Sequence, residues 1–165
     1  MIIELESVFN TEGLKVPFDY ELSLSGVEVS GYAPIAEPVR VSGCVENKAG
    51  IVNLTAKVDL VYEAPCDRCA RDVKRDFSFP VEHTLAVALE SGDSDDFLEV
   101  PNMRLNLDEL VEEDVNLAIP TKYLCNDDCK GLCPICGKNL NETQCECKAP
   151  VDPRMEVLLK LLEDK

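Results

Sequence analysis

An α+β fold is what the 165-residue sequence predicts, and three observations carry it. Residues 52 to 62 alternate apolar and polar with a period of two. Two later stretches carry helical apolar spacing instead. Six of the nine cysteines crowd into residues 125 to 147, "CNDDCKGLCPICGKNLNETQCEC". Together these read as an antiparallel β-meander or partly closed barrel, two short helices and a C-terminal cysteine module.

The central strand places Val52, Leu54, Ala56, Val58, Leu60 and Tyr62 on one face and Asn53, Thr55, Lys57 and Asp59 on the other. Before it, Val39, Val41 and Val45 alternate with Arg40, Ser42 and Cys44, and "ENKAG", 46 to 50, supplies a turn that ends in glycine. After it, Phe77, Phe79, Val81, His83, Leu85, Val87 and Leu89 continue the alternation, and Phe18, Tyr20, Leu22 and Leu24 make a fourth strand. "ESGDSDDFLE", 90 to 99, has little to bury and reads as a surface loop. In "NLDELVEEDVNLAIP", Asn106 and Glu109 have capping-box spacing, with Leu107, Leu110, Val111, Leu117 and Ala118 as the apolar stripe before Pro120. "VDPRMEVLLKLLEDK" reads as a second short helix, with Asp152 as N-cap, Pro153 at the first helical position, and Met155, Leu158, Leu159 and Leu162 on one side. The expected organisation is a β-rich domain over 1–120 with one acidic helix. A knuckle module with the C-terminal helix follows over 121–165, packed with it as one unit.

The opening residues lack a basic segment followed by an apolar one, and no stretch approaches the roughly 18 uncharged apolar residues of a membrane span. The expected compartment is a reducing cytoplasm, without membrane association. Clustered cysteines there are metal ligands or reactive thiols more often than disulfides. Thirty-two acidic against sixteen basic side chains leave a net charge of -16, which repels polyanions and suits a basic protein partner.

Cys66-Asp67-Arg68-Cys69 lies between two strand patterns, so the pair falls at a hairpin tip, where two thiolates on a tight turn converge on one ion. Cys133-Pro134-Ile135-Cys136-Gly137 repeats the knuckle, and Cys145-Glu146-Cys147 follows across the polar turn "KNLNETQ". Four soft thiolates predict a zinc site, with iron as the less favoured ion. Cys125 and Cys129 either complete a second tetrad with Cys66 and Cys69, for two ions in all, or remain spare beside a single site. Cys44, alone on a strand, reads as a small buried or half-buried side chain. A thiol oxidoreductase is the alternative of a different class, but such enzymes set the first cysteine at a helix N-terminus, and Cys66 sits between strands. The only histidine, His83, reads as packed in the core, and no phosphate-binding glycine loop occurs. No catalytic residue is expected.

The sequence resembles the YceD family of large ribosomal RNA subunit accumulation proteins, in the cysteine-rich form of clostridia-like bacteria. The resemblance rests on "CDRC", on "LAIPTKYLC" after an acidic helix, on "DDCKGLCPICGKNLNETQCEC" and on "DPRMEVLLKLL". Ala70 departs from it, standing where a leucine is expected. The resemblance implies a cytoplasmic, non-enzymatic factor in ribosome biogenesis that supports accumulation of 23S ribosomal RNA. It also implies a link to the gene for ribosomal protein L32, making that protein or a pre-50S particle the expected partner. Against it stands a bland alternative, a zinc-stapled interaction module with another client. The net charge argues against a broad RNA surface. Two local patches are the candidate contacts: Lys130 and Lys138 in the C-terminal module, where four lysines (122, 130, 138, 148) balance four acids (127, 128, 142, 146), and Arg68, Arg71, Lys74 and Arg75 near the first knuckle, which read more readily as solubilising hairpin charges.

Overall fold

The computed structural model describes residues 1–29, 31–88 and 97–147. The chain divides into two compact units, Met1–Ala64 with Asp72–Tyr123, and Pro65–Arg71 with Leu124–Lys165. The first knuckle thus belongs to the same unit as the later cysteines.

The first unit is mixed α+β. Its elements are β1 (Ile2–Glu4), α1 (Glu6–Asn10), β2 (Lys15–Leu22), β3 (Val39–Lys48), β4 (Ile51–Pro65), β5 (Asp72–Ala86), β6 (Phe97–Glu99), a 3-10 turn (Pro101–Met103), β7 (Arg104–Asn106) and α2 (Leu107–Ala118). Strands β2 to β6 form one five-stranded sheet in chain order, curled into a half-barrel. β2 pairs antiparallel with β3, and β3 with β4. Between β3 and β4, Lys48 faces Ile51 across Ala49 and Gly50, both left-handed (φ 52° and 85°). This tight two-residue turn matches the twist of the flanking strands. As the alternation predicts, Val52, Leu54, Ala56, Val58, Leu60 and Tyr62 are buried. They meet Val39, Val41, Val45, Val81 and Leu85 of the neighbouring strands and Leu107, Leu110, Val111 and Val115 of α2 in one cluster.

Several sequence expectations are corrected. Phe97–Glu99, read as the end of a loop, forms β6 and pairs parallel with β5, Thr84 facing Phe97. β1 pairs with β7, and α1 precedes β2; neither was expected. Asn106 caps α2 by accepting from the Asp108 N–H, two residues on. The buried stripe of α2 takes Val115 in place of Leu117 and Ala118: Leu117 is 86% exposed because it projects about 120° round the helix from Val111, and Ala118 is exposed at the helix's last residue. His83 is half-buried, not packed among apolar groups; its Nε2 lies 2.9 Å from the Asp114 carboxylate of α2. Cys44 is half-buried. Leu89, residues 90–96 of the acidic loop and the predicted C-terminal helix lie outside the described residues. Among the described residues, no helix is long and apolar enough to cross a membrane.

Tyr123 closes the first unit. Its ring packs edge-on to Tyr62 at 4.9 Å, and its hydroxyl donates to the Val73 carbonyl at 3.1 Å.

Candidate metal centre

The second unit brings eight cysteines into two clusters, Cys66, Cys69, Cys125 and Cys129, and Cys133, Cys136, Cys145 and Cys147. Within each, the four sulfurs lie no more than 4.8 Å apart. None of the nine cysteines is joined in a disulfide.

The two knuckles share one backbone pattern. In the first, the Cys66 N–H donates to the Arg71 carbonyl and the Ala70 N–H to the Cys66 carbonyl, both at 2.8 Å. In the second, the Cys133 N–H donates to Lys138 at 2.8 Å and the Gly137 N–H to Cys133 at 2.9 Å. The residue after each CxxC must turn left-handed to close this loop, and Gly137 does so at φ 70° without a Cβ penalty. Ala70 does so at φ 54°. An L side chain there costs roughly 1–2 kcal/mol, partly offset by the unfolded chain's smaller freedom. Ala70→Gly should therefore stabilise the first knuckle by up to about 1 kcal/mol, read as slower loss of metal to a chelator. A faster loss would show that the Ala70 methyl itself supports the turn.

A third segment completes the first cluster. Gly131, left-handed at φ 76°, brings its backbone so close to the first knuckle that a Cβ would lie 3.0 Å from the Arg68 carbonyl. The next residue, Leu132, donates its N–H to that same carbonyl at 3.1 Å. The Arg68 guanidinium returns across the cluster, donating to the Cys129 carbonyl at 2.7 Å. The Asn141 side chain donates to the Cys129 sulfur at 3.4 Å and accepts from the Lys130 N–H at 2.8 Å.

The donor set fits a tetrahedral ion. Metal–sulfur bonds of about 2.3 Å in a tetrahedron place sulfurs about 3.8 Å apart. Cys66 and Cys129 are 3.8 Å apart, Cys69 and Cys125 3.7 Å, and Cys136 and Cys145 3.9 Å. Cys145 and Cys133 are closer, at 3.3 Å. Cys66, Cys69, Cys129 and Cys133 are buried; Cys125 and Cys145 are half-buried, and Cys136 and Cys147 exposed. The first cluster is thus the better shielded.

The electrostatics ask for a cation. Burial opposes the Cys66 thiolate, but the N–H groups of Cys125, Arg68 and Cys69 outweigh it and bring its pKa down to about 6. The N–H groups of Cys136 and Ile135, with the Cys145 thiol, likewise hold Cys133 at about 6. Their neighbours move the other way. The Cys129 sulfur, burial and the Cys69 sulfur push Cys125 up to about 12, and the sulfurs of Cys145 and Cys136 push Cys147 up to about 12. The Arg71 N–H favours the Cys69 thiolate, yet burial and the sulfurs of Cys66 and Cys129 raise its pKa; the Cys133 sulfur raises that of Cys145. Four thiolates do not form side by side unless a cation replaces the protons.

At pH 7, then, Cys69 and Cys125 in one cluster, and Cys145 and Cys147 in the other, still hold protons. Metal uptake should release at least two protons per cluster at that pH. Below about 6, where Cys66 and Cys133 also protonate, at least three should be released and affinity should fall more steeply. Calorimetry in buffers of different ionisation enthalpy reads this directly. Release of fewer than two protons per ion at pH 7 would contradict it.

The expected contact residues are placed as follows. Arg68 is turned onto the cluster backbone, and Arg71 pairs with Glu142 at 2.6 Å. In the first unit, Lys74 pairs with Glu37 at 2.5 Å, and the Arg75 guanidinium stands 5.5 Å above the Tyr123 ring. Lys130 and Lys138 are exposed. Asn141 was not singled out from the sequence, although the "NLN" of the polar turn is a signature of side chains that bond nearby backbone.

The family profile of the large ribosomal RNA subunit accumulation protein YceD matches residues 54–162. The chain is 30% identical over 162 residues to the large ribosomal RNA subunit accumulation protein YCED homolog 1, chloroplastic, of Zea mays, covering 78% of this chain and 55% of that one. The Arabidopsis thaliana protein of the same name is 28% identical over 144 residues, with 69% and 45% covered. An uncharacterized protein of Mycobacterium tuberculosis is 26% identical over 122 residues, with 72% and 59% covered. The chain spans about half the length of these curated relatives. No solved structure matches it. With two thirds of its length matched by that profile, running through both cysteine clusters, the chain belongs to the YceD family of large ribosomal RNA subunit accumulation proteins.

Proposed function

We propose that this protein is a non-enzymatic cytoplasmic factor supporting accumulation of 23S ribosomal RNA and assembly of the large ribosomal subunit, with two structural zinc ions in its second unit. The family match supports the ribosomal part of this reading, and the observation that carries the structural, non-enzymatic part is the closed donor set. Each cluster offers four thiols. Catalytic zinc keeps one position for water and usually includes imidazole or carboxylate, whereas a four-thiolate site has nothing left to activate. Zinc is favoured over iron because its tetrahedral thiolate chemistry needs no redox role. Each ion would fasten one knuckle to a second cysteine pair, Cys125 and Cys129 or Cys145 and Cys147, and so present the module's surface to a partner.

With a net charge of -16, the partner is a basic ribosomal protein, L32 being the candidate, or a pre-50S particle reached through such a protein. Protein isolated from its native host without added metal should be colourless and carry about two zinc ions per chain. A tagged chain should retain pre-50S particles or L32. Retention of an unrelated client, with no ribosomal material, would replace the ribosomal reading with that of a zinc-stapled module serving another pathway. Visible absorption from bound iron would overturn the choice of zinc.

A further inference from the structure

The loop between Cys136 and Cys145 belongs in sequence to the second cluster, but its side chains reach the first. Asn141 donates to the Cys129 sulfur at 3.4 Å while accepting from the Lys130 N–H at 2.8 Å. Its own amide group is fixed by Asn139, whose Oδ1 accepts from the Asn141 N–H at 3.0 Å and from Nδ2 at 2.8 Å. Asn139 in turn bridges Leu132, and the Leu140 N–H donates to the Gly131 carbonyl at 2.9 Å. Glu142 makes a second link: it accepts from the Asn139 amide at 3.2 Å and pairs with Arg71, the residue that closes the first knuckle, at 2.6 Å.

Resting on the reading of both clusters as metal sites, we propose that the clusters fill cooperatively, and that Asn141 is the positioning residue that couples them. Residues 137–144 form a polar loop with no buried apolar side chain. An ion in the second cluster pins both ends of the loop, through Cys136 and Cys145. The cost of ordering the loop is then met before the first cluster binds, so the Asn141 hydrogen bond to Cys129 forms without it. That bond disperses the charge of a ligand sulfur and fixes its direction, as groups behind a metal's ligands commonly do. Coupling is reciprocal, so an ion in the first cluster favours the second equally. Direct repulsion between two tetrathiolate centres, each carrying about -2, would give the opposite sign. The sign of the cooperativity therefore separates the two.

The test titrates metal-free full-length protein with Co2+, reading thiolate-to-metal charge-transfer absorption and counting ions per chain by native mass spectrometry. At half saturation, fewer than about half of the wild-type chains should carry a single ion, whereas two independent sites leave half or more singly loaded. Cys147→Ser, which disables the second cluster, should weaken the first about ten-fold. In an Asn141→Ala background the same Cys147→Ser change should cost the first cluster nothing further, and singly loaded chains should accumulate. Asn141 is exposed, so its truncation leaves no buried gap. Cooperativity that persists unchanged in Asn141→Ala would come from folding of the module as a whole and would overturn the role of Asn141. Independent filling in the wild type would overturn the coupling while leaving the metal reading intact. Absence of any charge-transfer band would overturn both.

Discussion

Removal of the metal with a strong chelator should unfold residues 65–71 and 124–147 and leave the β-sheet folded. The reason lies in where apolar surface is buried. Every member of the hydrophobic cluster, from Ile3 to Tyr123, belongs to the first unit. Among the described residues of the second unit, the buried side chains are those of Cys66, Cys69, Cys129 and Cys133, while Leu132 and Ile135 are 41% and 50% exposed. A module whose described residues bury no apolar side chains beyond those cysteines needs a staple. Structural zinc supplies on the order of 10 kcal/mol to folding in isolated modules, far more than its turn hydrogen bonds contribute at about 1 kcal/mol each. Hydrogen exchange should thus show loss of protection through both knuckles, with β3, β4 and β5 still protected. Cys136→Ser, which touches only the second cluster, should give a milder version centred on residues 133–147. Persistent protection of the knuckles in metal-free protein, or collapse of the sheet together with them, would contradict the division of labour between the units.

The features legible in the sequence are those with a strong local signature. Nine residues of uninterrupted alternation, Val52 to Leu60, predict β4, because only a strand with one buried face requires period two. Cysteine pairs at knuckle spacing predict the two turns, because thiolates three residues apart can share an ion only on a tight loop. The grouping of Cys125 and Cys129 with Cys66 and Cys69 stayed open, since it depends on chain segments some sixty residues apart, where Cys66 meets Cys129. The β1–β7 pair escaped for the same reason: Ile3 faces Leu105, and three residues on each side are too few to show a period. Arg68 was read as a contact for a partner because an arginine in a turn normally faces water. Its fork instead meets the Cys129 carbonyl, a role that appears only once the third segment closes over the knuckle. Asn141 was hidden in the same way, since a hydrogen bond to a sulfur twelve residues back leaves no local pattern.

Association with a basic ribosomal protein should be fast at low salt and slow by one to two orders of magnitude as salt is raised through the range where the Debye length shrinks below about 10 Å. The field of the chain is negative overall, at -16, and α2 turns Glu109, Glu112 and Glu113 outward. Such a surface draws in a cationic partner from a distance but adds little once contact is made, so charge removal should act on the on-rate. Glu109→Gln, Glu112→Gln and Glu113→Gln together should slow association several-fold at low salt, with little change in the off-rate or the metal content. Naked ribosomal RNA meets the same field with the opposite result. Arg71 and Lys74 are already paired with carboxylates and Arg68 with backbone carbonyls, which leaves few cations to displace counterions from phosphates. RNA affinity should be no better than the roughly 10⁻⁴–10⁻⁶ M of non-specific contacts at physiological salt. Stopped-flow association and filter binding across a salt series measure both quantities. Tight RNA binding with a steep salt slope, lost in Lys130→Gln and Lys138→Gln but indifferent to the three glutamates, would move the site onto the cysteine module and overturn the protein-mediated reading.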